Sequence, residues 1–421
     1  MAGATQNCTT AAGGGSLDRS SGLGLQSELL GDIIVSSASS ASDAARTRQW
    51  LALSSTPGVG LTRTKRLLQR FGDVERVFRA SLAELGAAKL PAASAQSIVS
   101  GESMRLADEE LRKVQAAGAT LLVPDDPAYP RQLLEIYDPP AVLRVQGEVA
   151  ALSQPGIAIV GTRHPTPYGL GMAERLACDL AVRGLIIFSG MARGVDSAAH
   201  RGAVNAKAKT VAVFGAGIDI IYPRENQKLS EQILANGGAL VSEFPMGASP
   251  APQNFPIRNR VISGLSRGVL VVEAGEYSGT RITARCALEQ CREVFAVPGN
   301  VTNKLAWGTN TLIKQGAKLV ATWEDVWEEL PTDIRLCVEA ARPTAADQPA
   351  SLFGPEQKTA VEGNEKKVYA LIKADESIHI DQLVEELEGV FSSSEIFAAL
   401  FELELSGRIR QLPGKNYVRT F

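Results

Sequence analysis

Between residues 156 and 321 the chain alternates short apolar runs with longer stretches whose apolar positions recur every three or four residues. The runs fall at 157–160, 185–188, 211–214, 239–241, 269–272, 294–297 and 319–321. They are continuously apolar rather than alternating, as in strands covered on both faces, and helical-period segments fill most of the gaps between them. The pattern predicts an α/β fold with an extended, Rossmann-like parallel sheet flanked by helices. Right-handed crossovers would then set the strand-to-helix loops along one edge, where open sheets of this kind bind ligands.

Residues 46–115 carry helical patterns throughout. A glycine hairpin, Pro57-Gly58-Val59-Gly60, precedes a helix with Leu67, Leu68 and Phe71 on its apolar stripe. The segment resembles a helix-hairpin-helix or SAM-like module. Proline-dense residues 116–150 read as a connecting lead-in, because proline breaks helices. Residues 1–45, rich in Gly, Ser, Ala and Thr, read as a disordered tail, and 339–362, rich in Ala, Pro, Gln and Thr, as a linker. The last unit, 363–421, reads as helices at 365–374, 381–387 and 393–405, then strands at 408–411 and 416–419 around Pro413-Gly414. That order is a winged helix. The predicted organisation is therefore a tail (1–45), a helical domain (46–115), a Rossmann-like domain with its lead-in (116–338), the linker (339–362) and the winged helix (363–421).

A net charge of −3 gives no whole-chain signal for an acidic partner. The helical module holds 12 Lys/Arg against 7 Asp/Glu, and residues 156–330 hold 18 against 15, so any cationic site must be a local concentration. Five scattered cysteines without a C-x-x-C, and three distant histidines, predict reduced thiols, a cytoplasmic setting and no metal site. No apolar run approaches the ~18 residues of a membrane span.

The candidate chemistry sits in four loops at predicted strand ends: Gly161-Thr162-Arg163, Ser189-Gly190-Met191-Ala192-Arg193-Gly194, Gly215-Ala216-Gly217 and Ser278-Gly279-Thr280-Arg281. Glycines let backbone approach a ligand, helix N-termini offer free N–H groups, and arginine forks match phosphate oxygens. Arg258, Asn259 and Arg260 join this set as a basic turn that should open the helix before the 268–272 strand, and Phe255 beside them suits stacking on a base. A dinucleotide is disfavoured, since the second strand ends Phe188-Ser189-Gly190 without an acid, and no P-loop motif occurs. Asp196, Asp219, Glu243 and Glu273 read as structural carboxylates and His200 as a packed side chain, so no catalytic constellation, cofactor or metal is predicted.

These residues closely resemble the DprA/Smf family of DNA-processing, recombination-mediator proteins. The likeness rests on GTR (161–163), SGMARGVDSAAH (189–200), GAGIDIIYPREN (215–226), SEFPMG (242–247), FPIRNRVISGLS (255–266), EAGEYSGTRITARCALEQ (273–290) and VFAVPGN (294–300). The resemblance implies a non-catalytic, homodimeric protein that binds single-stranded DNA and loads the RecA recombinase during natural transformation. The implied DNA-binding residues are Gly161, Thr162, Arg163, Ser189, Gly190, Arg193, Gly194, Phe255, Arg258, Asn259, Arg260, Ser278, Gly279, Thr280 and Arg281. Two departures stand out. Pro252 replaces a lysine that some members place three residues before the phenylalanine, and the third helix of the winged unit carries Glu395, Glu402 and Glu404 with no basic residue. An anionic helix does not suit a groove lined with phosphates, so a protein-contact or auxiliary role is expected there. The rival reading is a nucleotide-binding or nucleoside monophosphate phosphoribohydrolase-like enzyme. Those proteins carry a glutamate three residues past the threonine of a comparable turn, where this chain has Thr283.

Overall fold

A computed structural model of the chain describes residues 43–340, 364–373, 376–387 and 389–419. The expected tail and linker lie almost wholly outside these residues. Nine strands form one sheet: β1 (Thr120–Leu122), β2 (Leu143–Gly147), β3 (Gly156–Val160), β4 (Ile186–Ser189), β5 (Thr210–Phe214), β6 (Ala239–Ser242), β7 (Gly268–Val271), β8 (Glu293–Ala296) and β9 (Lys318–Leu319). Their spatial order is β1-β2-β6-β5-β4-β3-β7-β8-β9. From β6 across to β9 every neighbouring pair is parallel.

Both faces of this sheet are covered, as the unbroken apolar runs require. On β3 and β7, Ala158, Val160, Val269 and Val271 point to one core, which helices Asn254–Leu265 and Thr280–Glu289 fill with Val261, Leu265, Ala284 and Ala287. Ile157, Ile159, Leu270 and Val272 point to the other, against Met172, Leu176 and Leu180 of helix Pro167–Val182 and Val195 and Ala199 of helix Val195–Asn205. Each fully buried aliphatic side chain contributes roughly 1.5–3 kcal/mol relative to an exposed one. The two covering helices on this second face touch through Gly202, where a Cβ would lie 2.2 Å from the Glu174 carbonyl oxygen.

The lead-in is more than a connector. β1 and β2 add to the sheet antiparallel, with Arg144 opposite Ser242 in the β2–β6 register, so the sheet is mixed rather than wholly parallel. Three residues was too short a run to signal β1, and the prolines around both strands masked them. Val123, Ala141 and Val142 also enter the core of the helical module, beside Leu51, Leu67 and Leu85. That module comprises helices at 43–55, Leu61–Phe71, Val74–Arg79, Leu82–Ala87, Ala92–Val99 and Glu102–Ala116.

A buried ion pair fastens the last of these helices to the sheet. Arg144 of β2 is 2% exposed. Its Nη2 lies 2.7 Å from Glu110 Oε1, and its Nη1 donates to the Glu243 carbonyl at 3.1 Å. The same Glu110 oxygen accepts the Met246 N–H at 2.8 Å. Burial pulls the Arg144 guanidinium down from its ordinary value, and Glu110 opposes that shift.

The C-terminal unit contains helices Asn364–Leu371, Ile380–Glu386 and Ser393–Leu405, with strands β10 (Ile378–His379), β11 (Ile409–Leu412) and β12 (Asn416–Arg419) in the order β10-β12-β11. Its core of Val368, Leu383, Ile396, Leu400, Leu403 and Tyr417 is its own. This is the expected winged helix, with β10 as the strand that the sequence pattern did not signal.

Removing one member of a buried ion pair leaves a bare charge, which costs about 3–5 kcal/mol. Glu110→Ala should therefore lower the urea unfolding midpoint sharply. Glu110→Leu with Arg144→Met should recover most of the loss, because neither charge is then left buried.

Candidate nucleic-acid interface

The strand order reverses direction at β3. From it the chain winds through β4, β5 and β6 on one side, then returns to place β7 on the other. The loops after β3 and β7 therefore diverge, and a cleft of about 530 Å³ opens between them. It is lined by Gly161, Thr162, Arg163 and His164 after β3, by the 275–280 loop after β7, and by Phe255, Arg258 and Asn259 from helix Asn254–Leu265. A smaller pocket of about 130 Å³ adjoins it and shares Arg163, His164, Ala192 and Phe255, adding Gly190, Arg193, Gly215 and Tyr222.

The β3 loop is tied to both neighbours. The Thr162 N–H donates to the Glu273 carbonyl at 2.9 Å, and its own carbonyl accepts the Val195 N–H at 3.2 Å. Glu273 sits in the left-handed region at φ +57°. Its carboxylate accepts from the Thr166 N–H at 2.8 Å and from the Thr166 hydroxyl at 2.5 Å. Burial pushes the Glu273 carboxyl up, against these two hydrogen bonds. The group braces the start of helix Pro167–Val182, the structural role read for it.

Helix Asn254–Leu265 begins four residues before Arg258, so Arg258, Asn259 and Arg260 lie inside it rather than opening it. Helical residues two apart point about 200° from each other. The two arginines consequently have different fates. Arg258 turns towards the strand ends and donates from Nη1 to the Gly190 and Val213 carbonyls, each at 2.6 Å. Burial lowers its pKa to about 10, with nearby Asp196 opposing and Arg163 reinforcing the shift. A Cβ on Gly190 would stand 2.1 Å from Arg258 Nη1, so only glycine admits the guanidinium. Arg260 turns away from the cleft. Its Nε lies 3.1 Å from Asp138 and its Nη2 2.5 Å from Glu243, with 8% of the side chain exposed. Burial pushes the Glu243 carboxyl up against the pull of Arg260. The expectation that Arg260 faces a ligand gives way to a structural role.

Arg163 differs from both. It is exposed, its guanidinium lies 5.1 Å from the centroid of the Phe255 ring, and among the described residues no carboxylate forms an ion pair with it. Phe255 also faces Tyr222, with ring centroids 6.0 Å apart. Gly215 permits this, since a Cβ there would come within 2.9 Å of the Phe255 ring. Tyr222 did not emerge from the sequence; the signal available was an aromatic five residues beyond Gly217 in the loop after β5.

The remaining expected residues divide. Ser278, Gly279 and Thr280 line the cleft, where helix Thr280–Glu289 starts at Gly279 and the Ser278 hydroxyl accepts the Thr280 N–H at 3.2 Å. Arg193 lines the small pocket but donates from Nε and Nη2 to the Glu225 carboxylate, each at 2.8 Å. Arg281 donates to the Glu276 carbonyl and lies over Trp307, off the cleft wall. Ser189 is buried with its hydroxyl on the Ile159 carbonyl, and Gly194 supports the chain at φ +75°. The carboxylates in the cleft are Asp196, buried beside Arg258, and exposed Glu276, while Thr283 is one of its buried wall residues. Burial pushes Asp196 up, opposed first by Arg258. His200 is fully buried with Nδ1 2.8 Å from the Thr210 hydroxyl, and burial pushes it down to about 3, which keeps it neutral. Among the described residues no cluster of His, Cys, Asp or Glu could hold a metal, and no helix is long and apolar enough to cross a membrane.

Residues 120–331 match the family model described as DNA recombination-mediator protein A, and 341–415 match that of the DprA winged helix domain. The chain is 42% identical over 300 residues to Protein Smf of Escherichia coli, covering 71% of this chain and 77% of that protein. It is 34% identical over 400 residues to Protein Smf of Synechocystis, covering 88% and 98%. The X-ray structure of DNA processing protein A from Streptococcus pneumoniae superposes with a TM-score of 0.61 at 33% identity, over 68% of this chain and 98% of that one. A sheet of this topology, a winged helix and likeness over most of its length thus converge: the chain belongs to the DNA recombination-mediator protein A, or DprA/Smf, family.

Proposed function

We propose that the cleft at β3 and β7 holds a single strand of DNA by its backbone and one unstacked base, and that no bond is made or broken there. The observation that carries this reading is Arg163: an exposed guanidinium, without a carboxylate partner among the described residues, over Phe255 in the cleft that the glycine turn at the start of helix Thr280–Glu289 also lines. A phosphate at that point would meet Arg163 and the Gly279 N–H, while Arg258 supplies positive potential from below. A base can lie against the Phe255–Tyr222 pair, and every base offers a π-face, so such binding is tolerant of sequence. Arg193 joins only if DNA displaces Glu225, and Arg260 and Arg281 act as support rather than as contacts.

The family relationship extends the proposal: a cytoplasmic homodimer that protects incoming strands and passes them to RecA. On this reading wild-type protein accelerates RecA filament growth on oligo-dT and an Arg163→Ala variant does so poorly; equal stimulation by both would separate the RecA step from this cleft. The hydrolase rival lacks its glutamate at Thr283, and release of base from nucleoside monophosphates would reinstate it.

Binding of oligo-dT, followed by fluorescence anisotropy across a salt series, should show a steep dependence for the wild type. Arg163→Ala should flatten it by about 0.7 in log–log slope, the effect of one phosphate contact on a single strand. Phe255→Ala should weaken binding by about 1–3 kcal/mol and leave the slope unchanged, since stacking releases no counterion. Arg260→Ala should behave oppositely. It should cost about 3 kcal/mol of unfolding stability by stranding Glu243, and the folded fraction should keep the wild-type slope.

A further inference from the structure

The third helix of the winged unit, Ser393–Leu405, is apolar on more sides than its own core needs. Ile396, Ala399, Leu400 and Leu403 face inward and are buried. Phe397, Phe401 and Leu405, spaced i, i+4, i+8, form a second row that stays 53%, 63% and 74% exposed. Residues at this spacing line one face of a helix. In a winged helix this element is the one that ordinarily enters a DNA groove. Here its charged residues are all carboxylates: Glu395 is tied to Ser392 at the helix start, Glu404 accepts the Gln411 N–H at 3.2 Å, and Glu402 lies beside Phe401. The unit from 361 to 421 carries seven basic residues against eleven acidic ones. Several of the basic ones are already engaged: Lys367 over Phe391, Arg419 over Tyr369, and Lys373 with Glu376.

We infer that the Phe397–Phe401–Leu405 row is a docking surface for a basic amphipathic helix of a protein partner. The apolar row supplies anchors at the spacing by which one helix reads another, and Glu402 and Glu404 supply the opposite charge to lysines or arginines flanking the partner's apolar stripe. The same charges disfavour the competing occupants. A second copy meeting this face across a two-fold axis would set the same carboxylates against each other. Duplex DNA and an anionic lipid surface would both meet carboxylates first.

The test uses the full-length protein and two fluorescein-labelled synthetic helices with leucine at a and d positions, one with lysine and one with glutamate at the flanking positions. The lysine helix should bind, with an affinity that falls as salt rises, and the glutamate helix should not. Phe397→Ala with Phe401→Ala should weaken the lysine helix by about tenfold or more, the scale of losing aromatic anchors, while oligo-dT binding stays as in the wild type. Glu402→Lys with Glu404→Lys should reverse the preference between the two helices. Absence of binding, or equal binding by the alanine variant, overturns the inference. So does a concentration-dependent dimer that the alanine variant abolishes, which would make a second copy the occupant, or duplex binding that the same variant loses.

Discussion

A guanidinium without water around it has to find carbonyls or carboxylates, and Arg258 finds carbonyls at the ends of two sheet strands. Its Nη1 joins those of Gly190 and Val213, at the termini of β4 and β5, to the helix that carries Phe255. Asp196, at the start of helix Val195–Asn205, offsets part of the desolvation. One side chain thus fixes the mutual position of two strand-end loops and one helix. Arg163, Phe255 and the Gly279 turn can meet only because that frame is rigid. Glycine at 190 is the condition for it, and the aromatic wall formed with Tyr222 depends in the same way on the absence of a side chain at Gly215.

Charge is used twice in this molecule, and burial decides which use prevails. Arg144 and Arg260 are enclosed and paired with Glu110, Glu243 and Asp138, with Arg260 Nη1 and Glu243 Oε1 left buried without a hydrogen-bond partner among the described residues. They form a line of ion pairs from the helical module, through β2 and the loop after β6, to the helix behind the cleft. Such pairs contribute little net stability but are costly to break, so they hold neighbouring elements in one arrangement. Arg163 is left in solvent, where a guanidinium attracts phosphate with little desolvation to overcome.

The winged helix keeps the fold of a DNA reader but differs from one in surface composition. Its core is ordinary, and its third helix forms because Ser392 and Glu395 make a capping box and Ile396, Ala399, Leu400 and Leu403 pack into that core. What that helix presents outward is aromatic and acidic. Fold and surface chemistry are therefore separate properties of this unit, as they are wherever a site is grafted on a common scaffold.

The order of strands and helices from β3 onward, the placing of glycine turns at the strand ends and hence the existence of a cleft at one edge were all legible in the chain, because apolar periodicity and backbone permissiveness are local properties. The acidic third helix of the winged unit was legible for the same reason. The strands β1 and β2 were not, since their pairing with β6 is non-local and their prolines argue for loops when read alone. Nor could spacing tell Arg258 from Arg260. Both stand in one basic tripeptide, and only the start of their helix at Asn254 and the positions of Gly190, Glu243 and Asp138 around it sent one guanidinium under the cleft and the other into ion pairs behind it. Sequence determines which groups a segment carries; the direction in which a side chain points, and whether it meets water, a carbonyl or a carboxylate, is settled only when distant segments pack.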